Sequence, residues 1–239
     1  MPRLKYCYEW PRPAVTVDIA LFTVAGELND LRLQVLLIER DEPPWRGQWA
    51  LPGGFVRENE DLDAASRREL DEEAGVKEVT LEQVCAVGTP GRDTRGHVIT
   101  VVYVGLTAGA RHRLISRGDA RAARWFDVSA ATPLPELAFD HTHLLDLALR
   151  HLRKRLGEAP VCSELLPEHF ALSELQALTE AILGRKLDRR NFRRKVQELG
   201  LVAPVAGQRR LGVHRPAQLF RFVPQSFARV TGRERPSPF

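Results

Sequence analysis

Val15, Val17, Ile19 and Leu21 alternate with other residues at the period of two that marks a half-buried strand. A turn containing Gly26, Asn29 and Asp30 follows, after which Leu31, Leu33, Val35 and Leu37 alternate again as a second strand. Residues 41–54 mix proline, tryptophan and glycine and read as a structured loop. Residues 61–74 are rich in Glu, Arg, Ala and Leu and stop at Gly75, the pattern of a helix closed by a left-handed cap. Three more strands are expected over 79–87, 97–106 and 113–126. An amphipathic helix over 144–156 then ends in Arg and Lys, which suits the helix dipole.

Gly157-Glu-Ala-Pro160 interrupts this pattern and reads as a linker. Beyond it Ser173, with Gln176 three residues on, forms a capping-box signature for a helix ending at Gly184. Asp188 caps a second helix, 189–199, closed by Gly200. Two strand-like pieces, 201–205 and 218–222, flank a loop with Gly207, Gly212 and Pro216. The division expected from these signals is an arm over 1–12, a first domain over 13–156, a linker over 157–164, a second domain over 165–225 and a flexible tail over 226–239. No internal repeat is visible.

Composition narrows the class. The 239 residues are 44% apolar and 28% charged, as in ordinary soluble globular chains, and no run of about 18 apolar residues is present to span a membrane. The first residues lack the apolar core of a signal peptide. Cys7, Cys85 and Cys162 are scattered, which argues against a disulfide framework or structural zinc and for free thiols in a reducing cytoplasm. The net charge of +4 hides an asymmetry. Residues 165–239 hold 14 Lys/Arg against 6 Asp/Glu, so the rest of the chain is net acidic. Separate partners are implied: a metal for the first part, a polyanion for the second.

The chemistry lies in residues 54–76, GFVRENEDLDAASRRELDEEAGV. Glu69, Glu72 and Glu73 stand at i, i+3 and i+4, so a helix presents them on one face. Carboxylates this close repel one another unless a cation compensates, and a hard ion, Mg²⁺ or Mn²⁺, suits an oxygen-only set. Gly53 and Gly54 would let backbone approach a ligand closely. An ordinary solvated helix of mixed charge explains the Arg and Glu residues but gives no role to Gly54, Glu60 and Gly75 at their fixed offsets. With those positions filled, the segment resembles the Nudix box. The resemblance implies an α/β (α+β) Nudix fold, a mixed sheet sandwiched by helices, and metal-assisted hydrolysis of a nucleoside diphosphate compound. It makes Glu69 and Glu73 the principal metal ligands with Glu72 nearby, Arg68 the residue that orients them, and Glu60 a support for the loop-helix-loop. Arg68, Glu69, Glu72 and Glu73 are thus the candidate catalytic set.

Arg46, Gly53, Gly54, Phe55, Glu60 and Arg92 are the candidate substrate-binding residues, since arginine suits phosphate and aromatic faces suit a base. Trp49 reads equally as core or as ligand contact. Glu136 is a possible loop base but reads more readily as a surface residue, and His141 and His143 more readily as packing or capping groups. The stretches GTPGRDTRGHVITVVYVGL and PEHFALSELQALTEAILGRKLDRRNFRRK resemble the Nudix-related transcriptional regulators of NAD metabolism. That resemblance implies ADP-ribose as ligand, a homodimer on operator DNA, and a ligand that weakens the DNA complex. Many such regulators have a degraded box, whereas this chain keeps every box residue, so enzyme and sensor readings coexist. The alternative is a plain ADP-ribose or nucleoside-diphosphate-sugar pyrophosphohydrolase with no regulatory role.

In the second helix of the C-terminal part, Phe192, Val196 and Leu199 recur at i, i+4 and i+7 and should face a core. Arg189, Arg190, Asn191, Arg193, Arg194 and Lys195 are left for the outer sides. This is the pattern of a winged helix-turn-helix recognition helix set against double-stranded DNA, with Arg209, Arg210 and Arg215 in the wing. A merely soluble basic helix, or one docked on the acidic domain, is the plainer reading.

Overall fold

The computed structural model describes residues 9–108, 114–115, 120–128, 133–156, 161–210, 217–223 and 225–226, the side chains of 207–210 excepted. The first part is a mixed seven-stranded sheet. Its strands are β1 (Ala14–Ala25), β2 (Arg32–Arg40), β3 (Trp49–Ala50), β4 (Gly53–Phe55), β5 (Leu81–Val87), β6 (Val98–Leu106) and β7 (Ala120–Asp127). The order is β3-β2-β1-β6-β5, with β4 on β1 and β7 on β2. Among the described strands, β1 and β6 are the pair that runs parallel, in register from Ala14↔Val98 to Phe22↔Leu106.

Helices α1 (Leu62–Ala74) and α2 (His141–Arg155) cover the sheet's two faces. Val17, Ile19 and Leu21 of β1 pack with Ala65, Leu70 and Ala74 of α1, while Ala20 and Phe22 pack with Leu144, Leu145 and Ala148 of α2. Strand β1 is therefore buried on both faces. The half-buried strand expected from its alternation is corrected, because small Ala20 and aromatic Phe22 fill the positions a solvated strand leaves polar. The stretch 41–54 is likewise not all loop: β3 pairs with β2 at Ile38↔Ala50, and β4 with β1 at Val17↔Gly54.

The Gly75 cap of α1 follows the sequence, and Asp61, expected as the first helical residue, is instead the N-cap. Asp61 accepts from the Asp63 N–H, and Gly75, at φ 71, closes the helix with its N–H on Asp71 and Leu70 carbonyls. Helix α2 begins three residues earlier than its apolar pattern predicts, because the turn at 137–140 is pinned: Ala138 N–H donates to Trp49 O at 2.8 Å.

The second part holds a three-stranded sheet and two helices. Of the linker expected over 157–164, residues 157–160 lie outside the described residues, and Val161–Glu164 form a 3-10 turn in which Cys162 is buried and Val161 packs against the core. Strand β8 (Phe170–Ala171) precedes α3 (Leu172–Leu183) and α4 (Arg189–Glu198), and β9 (Val202–Arg210) and β10 (Ala217–Phe222) complete a sheet ordered β8-β10-β9. Helix α3 starts at Leu172, capped by Glu174 on the Ala171 N–H at 2.7 Å, which corrects the Ser173/Gln176 box. Gln176 instead braces the turn between the helices: its Nε2 donates to Leu187 O at 3.1 Å and to Glu180 Oε1 at 2.9 Å. Asp188 caps α4 as its sequence predicts, accepting from Asn191 N–H at 2.8 Å.

One apolar cluster runs from Leu144, Leu149 and Leu152 of α2 to Leu175, Ile182 and Phe192, joining the two parts. Arg153 on α2 also donates from Nε to Ile182 O, in the last turn of α3, at 3.1 Å. The expected arm and tail fall mostly outside the described residues.

Candidate functional site

A cleft of about 410 Å³ opens between α1, the start of β1, β4, the loop before β6 and the start of α2. Glu69, Glu72 and Glu73 all line it, as their spacing predicts. They do not have equal surroundings. Glu73 is buried and accepts from Gly53 N–H at 2.8 Å. Burial, reinforced by the negative charges of Glu69 and Asp18, pushes its carboxyl up to about 8. Glu69 is raised too, again by burial, with the Arg68 guanidinium working against it. Glu72 is half-exposed and pairs with Arg57 at 3.1 Å.

Arg68 organises this face. Its guanidinium takes Glu60 bidentately at 2.6 and 2.8 Å, Glu69 at 2.5 Å and Glu72 at 3.2 Å, and donates to Phe55 O at 3.2 Å. Glu60 is held down at about 2, chiefly by that pair. The glycines have a measurable reason. A Cβ on Gly54 would stand 2.5 Å from Glu69 Oε1, and one on Gly53 would run into Val17 O and, at 2.9 Å, Asp18 Oδ1. A side chain at Gly54 would displace the Glu69 carboxylate, and one at Gly53 would push β4 off β1.

Sequence reasoning missed Asp18. It sits in the middle of β1, buried, accepting from Thr100 Oγ1 at 2.6 Å and lying 3.5 Å from His141 Nε2. His141 Nδ1 accepts the Leu51 N–H at 3.0 Å, and burial lowers its pKa, so the ring is neutral with its proton on Nε2. A carboxylate inside a continuous apolar strand was the available signal, since an acid there needs a reason to be buried.

Arg92 reaches the cleft wall but is committed: Nε and a terminal nitrogen hold Asp140 at 2.9 and 2.7 Å, and its side chain is 4% exposed. Arg46 is not brought to the cleft. It is 67% exposed, pairs with Asp41 at 3.0 Å and is absent from the lining, because the turn at Gly47 carries it outward. Arg57, Arg40 and Arg95 line the cleft in its place. Trp49 packs edge-on against Phe126 at 4.7 Å, a core contact. Glu136 and His143 are exposed and lie off the cleft, whereas His141 is part of its lining.

Among the described residues no three acidic or imidazole groups are drawn tightly enough to hold an ion unaided. A hard ion of the Mg²⁺ type takes one or two carboxylates and fills its remaining positions with water and phosphate oxygens. The donor set fits such an ion: Glu73 is desolvated beside two other negative groups and would be relieved by a cation.

In the second part, Phe192 and Val196 of α4 are buried as their spacing predicts. Arg189, Arg190, Asn191, Arg194 and Lys195 are exposed, while Arg193 is half-buried and Arg194 pairs with Glu198 at 3.2 Å. Arg209 and Arg210 fall at the end of β9, and Arg215 lies outside the described residues.

These features define a two-part protein: an α/β domain with an acidic, arginine-braced cleft, followed by a winged helix whose outer helix is basic. Residues 13–148 match the model of the NUDIX domain, and residues 162–222 that of the NrtR DNA-binding winged helix domain. The chain belongs to the Nudix family, with an NrtR-type winged helix as its second domain. It is 37% identical to the ADPR responsive transcriptional repressor NtrR of Acinetobacter baylyi, over 92% of this chain and 86% of that one. The crystal structure of Shewanella oneidensis NrtR complexed with a 27mer DNA is similar, with a TM-score of 0.68 and 33% identity over 90% of this chain and 95% of that one. So is the NUDIX domain of the same protein complexed with ADP ribose, with a TM-score of 0.53 and 35% identity over 60% of this chain and 90% of that one.

Proposed function

We propose that this chain is a cytoplasmic, ADP-ribose-responsive DNA-binding regulator that has kept pyrophosphohydrolase chemistry in its Nudix cleft. The observation that carries this reading is the co-existence, in one chain, of an intact carboxylate–arginine constellation and an exposed basic helix on a winged fold. The relatives that bind ADP ribose and DNA support the choice of ligands.

Glu69 and Glu73 would hold Mg²⁺ or Mn²⁺, with Glu72 at the rim. When bound, the ion supplies charge neutralisation of a diphosphate and a lowered pKa for its water. The chain's own residues do the remaining work. Arg68 fixes Glu69 and Glu72 in one orientation and is itself fixed by Glu60, so the acidic face is organised before ligand arrives. Gly53 N–H holds the Glu73 carboxylate in place, and the bare backbone at Gly53 and Gly54 lets β4 lie close against β1 and the Glu69 carboxylate. Buried Asp18, hydrogen-bonded to Thr100 and 3.8 Å from the Arg92 guanidinium, sets a second carboxylate on the cleft floor beside Glu73.

On the DNA side, Arg189, Arg190, Asn191, Arg194 and Lys195 would face the groove, with phosphate contacts from the wing. A homodimer on a two-fold operator fits the helix-turn-helix geometry. The test is a band shift on the promoter DNA beside its own gene, repeated with ADP-ribose and Mg²⁺ while AMP is measured. DNA binding weakened by ADP-ribose, with AMP released, is expected. No shift, and no turnover across a panel of nucleoside diphosphate compounds, would refute it.

A further inference from the structure

Between β3 and β4 the chain crosses from one neighbour to another, leaving β2 at Ala50 and joining β1 at Gly53. Each residue of that crossing is tied. Pro52 has no N–H to give, and its carbonyl accepts from Ile19 N–H at 2.8 Å. Gly53 N–H goes to Glu73 at 2.8 Å. Leu51 is only 1% exposed, so its N–H also needs a partner. That partner is a side chain: Nδ1 of His141, at 3.0 Å.

His141 is the first residue of α2, and the turn ahead of it is docked on the end of β3. Ala138 N–H donates to Trp49 O at 2.8 Å, two residues before Leu51, and His141 N–H returns to Ala138 O at 3.1 Å. The imidazole can accept from Leu51 only while Nδ1 is bare. Its other nitrogen, Nε2, faces Asp18 Oδ1 at 3.5 Å, and a carboxylate there favours the proton on Nε2. Asp18 is itself oriented, because Thr100 donates to its second oxygen at 2.6 Å. The opposite tautomer would set N–H against N–H at Leu51. Thr100, Asp18, His141 and Leu51 thus link β6, β1 and α2 to the peptide two residues before the glycine that holds Glu73.

We infer that His141 is a positioning residue for the metal-holding carboxylates: with its tautomer set by Asp18, it fixes the crossing at Leu51 so that Gly53 N–H meets Glu73. The inference rests on the proposed metal role of Glu73, and it gives buried Asp18 a task beyond its charge.

Hydrogen bonding and mere packing predict opposite orders for two variants. Glutamine is close to histidine in size, but its amide reaches the Nε2 position and leaves Leu51 N–H unmatched. Asparagine is smaller and leaves a void, but its carbonyl oxygen falls at the Nδ1 position and accepts that N–H.

The test is Mn²⁺ binding to the full-length protein, read from the electron paramagnetic resonance of free Mn²⁺, with ADP-ribose turnover and melting temperature measured alongside. His141→Gln should weaken Mn²⁺ roughly tenfold, the size of losing a residue that orients a metal ligand, and should lower kcat more than it changes KM. His141→Asn should stay within about threefold of wild type in both. Asn binding Mn²⁺ as weakly as Gln, or Gln binding as wild type does, overturns the inference. Should His141→Gln fail to fold, His141→Asn decides alone. Should neither fold, the long-range ¹H–¹⁵N spectrum of the wild-type ring decides: a neutral imidazole protonated on Nε2 is expected, and a proton on Nδ1 overturns the inference. Wild-type protein that binds no Mn²⁺, or Glu73→Gln protein that binds it as wild type does, refutes the metal role of Glu73 itself, a result distinct from any of these.

Discussion

Arginines do opposite work in the two halves of this molecule. In the cleft they are committed: Arg68 spans three carboxylates, Arg92 clasps Asp140, and Arg95 clasps Asp93. On α4 most stand in solvent: Arg189 and Arg190 are exposed and Arg194 makes an exposed i,i+4 pair with Glu198, while Arg193 is half-buried. A buried, bidentate arginine is a positioning device whose loss strands charged partners. An exposed one contributes mainly to a field that salt screens. The same residue type therefore predicts a structural defect in one half and a salt-dependent binding defect in the other.

The comparison can be broken in order of effect. Glu73→Gln should lower turnover of ADP-ribose by a hundredfold or more while leaving melting temperature and DNA affinity near wild type. Residual activity within tenfold would remove Glu73 from the metal set. Arg68→Ala should destabilise the protein by roughly 3 kcal/mol, since it leaves Glu60 and Glu69 without their partner. The pH dependence has a definite sign. Glu60 is lowered from 4.5 to about 2, so its contribution is complete above 4.5 and is lost as pH falls toward 2. Arg68→Ala should therefore shrink the stability gap to wild type in acid, which denaturation between pH 5 and 2.5 would measure.

On the other side, Arg190→Ala should weaken DNA binding by about 1–2 kcal/mol and reduce the log–log salt slope by about 1, with no change in melting or ADP-ribose turnover. A loss of fold stability there would contradict the division. The smallest effect is expected at Arg46→Ala, which should alter neither ligand affinity nor stability by more than about 0.5 kcal/mol, because its ion-pair partner among the described residues is exposed Asp41. A large loss of ADP-ribose binding would show that the turn closes over the ligand.

Much of this was legible in the residue pattern, for local reasons. The α1 carboxylates share a face because helical spacing dictates it, and Gly75, Asp188 and Gly184 cap their helices by chemistry confined to a few neighbours. What escaped depends on tertiary contacts. Asp18 and Thr100 meet only because β1 and β6 pair in parallel, 82 residues apart. Phe139 is turned into the cleft by a hydrogen bond from its neighbour to β3, a strand that reads as loop. Arg46 and Arg57 are comparable in sequence, yet the turn at Gly47 exposes one while the Glu72 pair brings the other to the rim. The committed state of Arg92 was equally invisible, since its partner Asp140 is 48 residues away.

The cleft and the basic helix are joined through a shared core: α2 lines the cleft at His141 and meets α3, which packs against α4, at Arg153. The most direct measurement is the dissociation constant for promoter DNA with and without saturating ADP-ribose, at fixed moderate salt. The account predicts at least a fivefold weaker complex in the presence of ADP-ribose, and a smaller ratio when Arg153→Ala removes the α2–α3 hydrogen bond. Equal affinity with and without ADP-ribose, in a protein that demonstrably binds both, would contradict it.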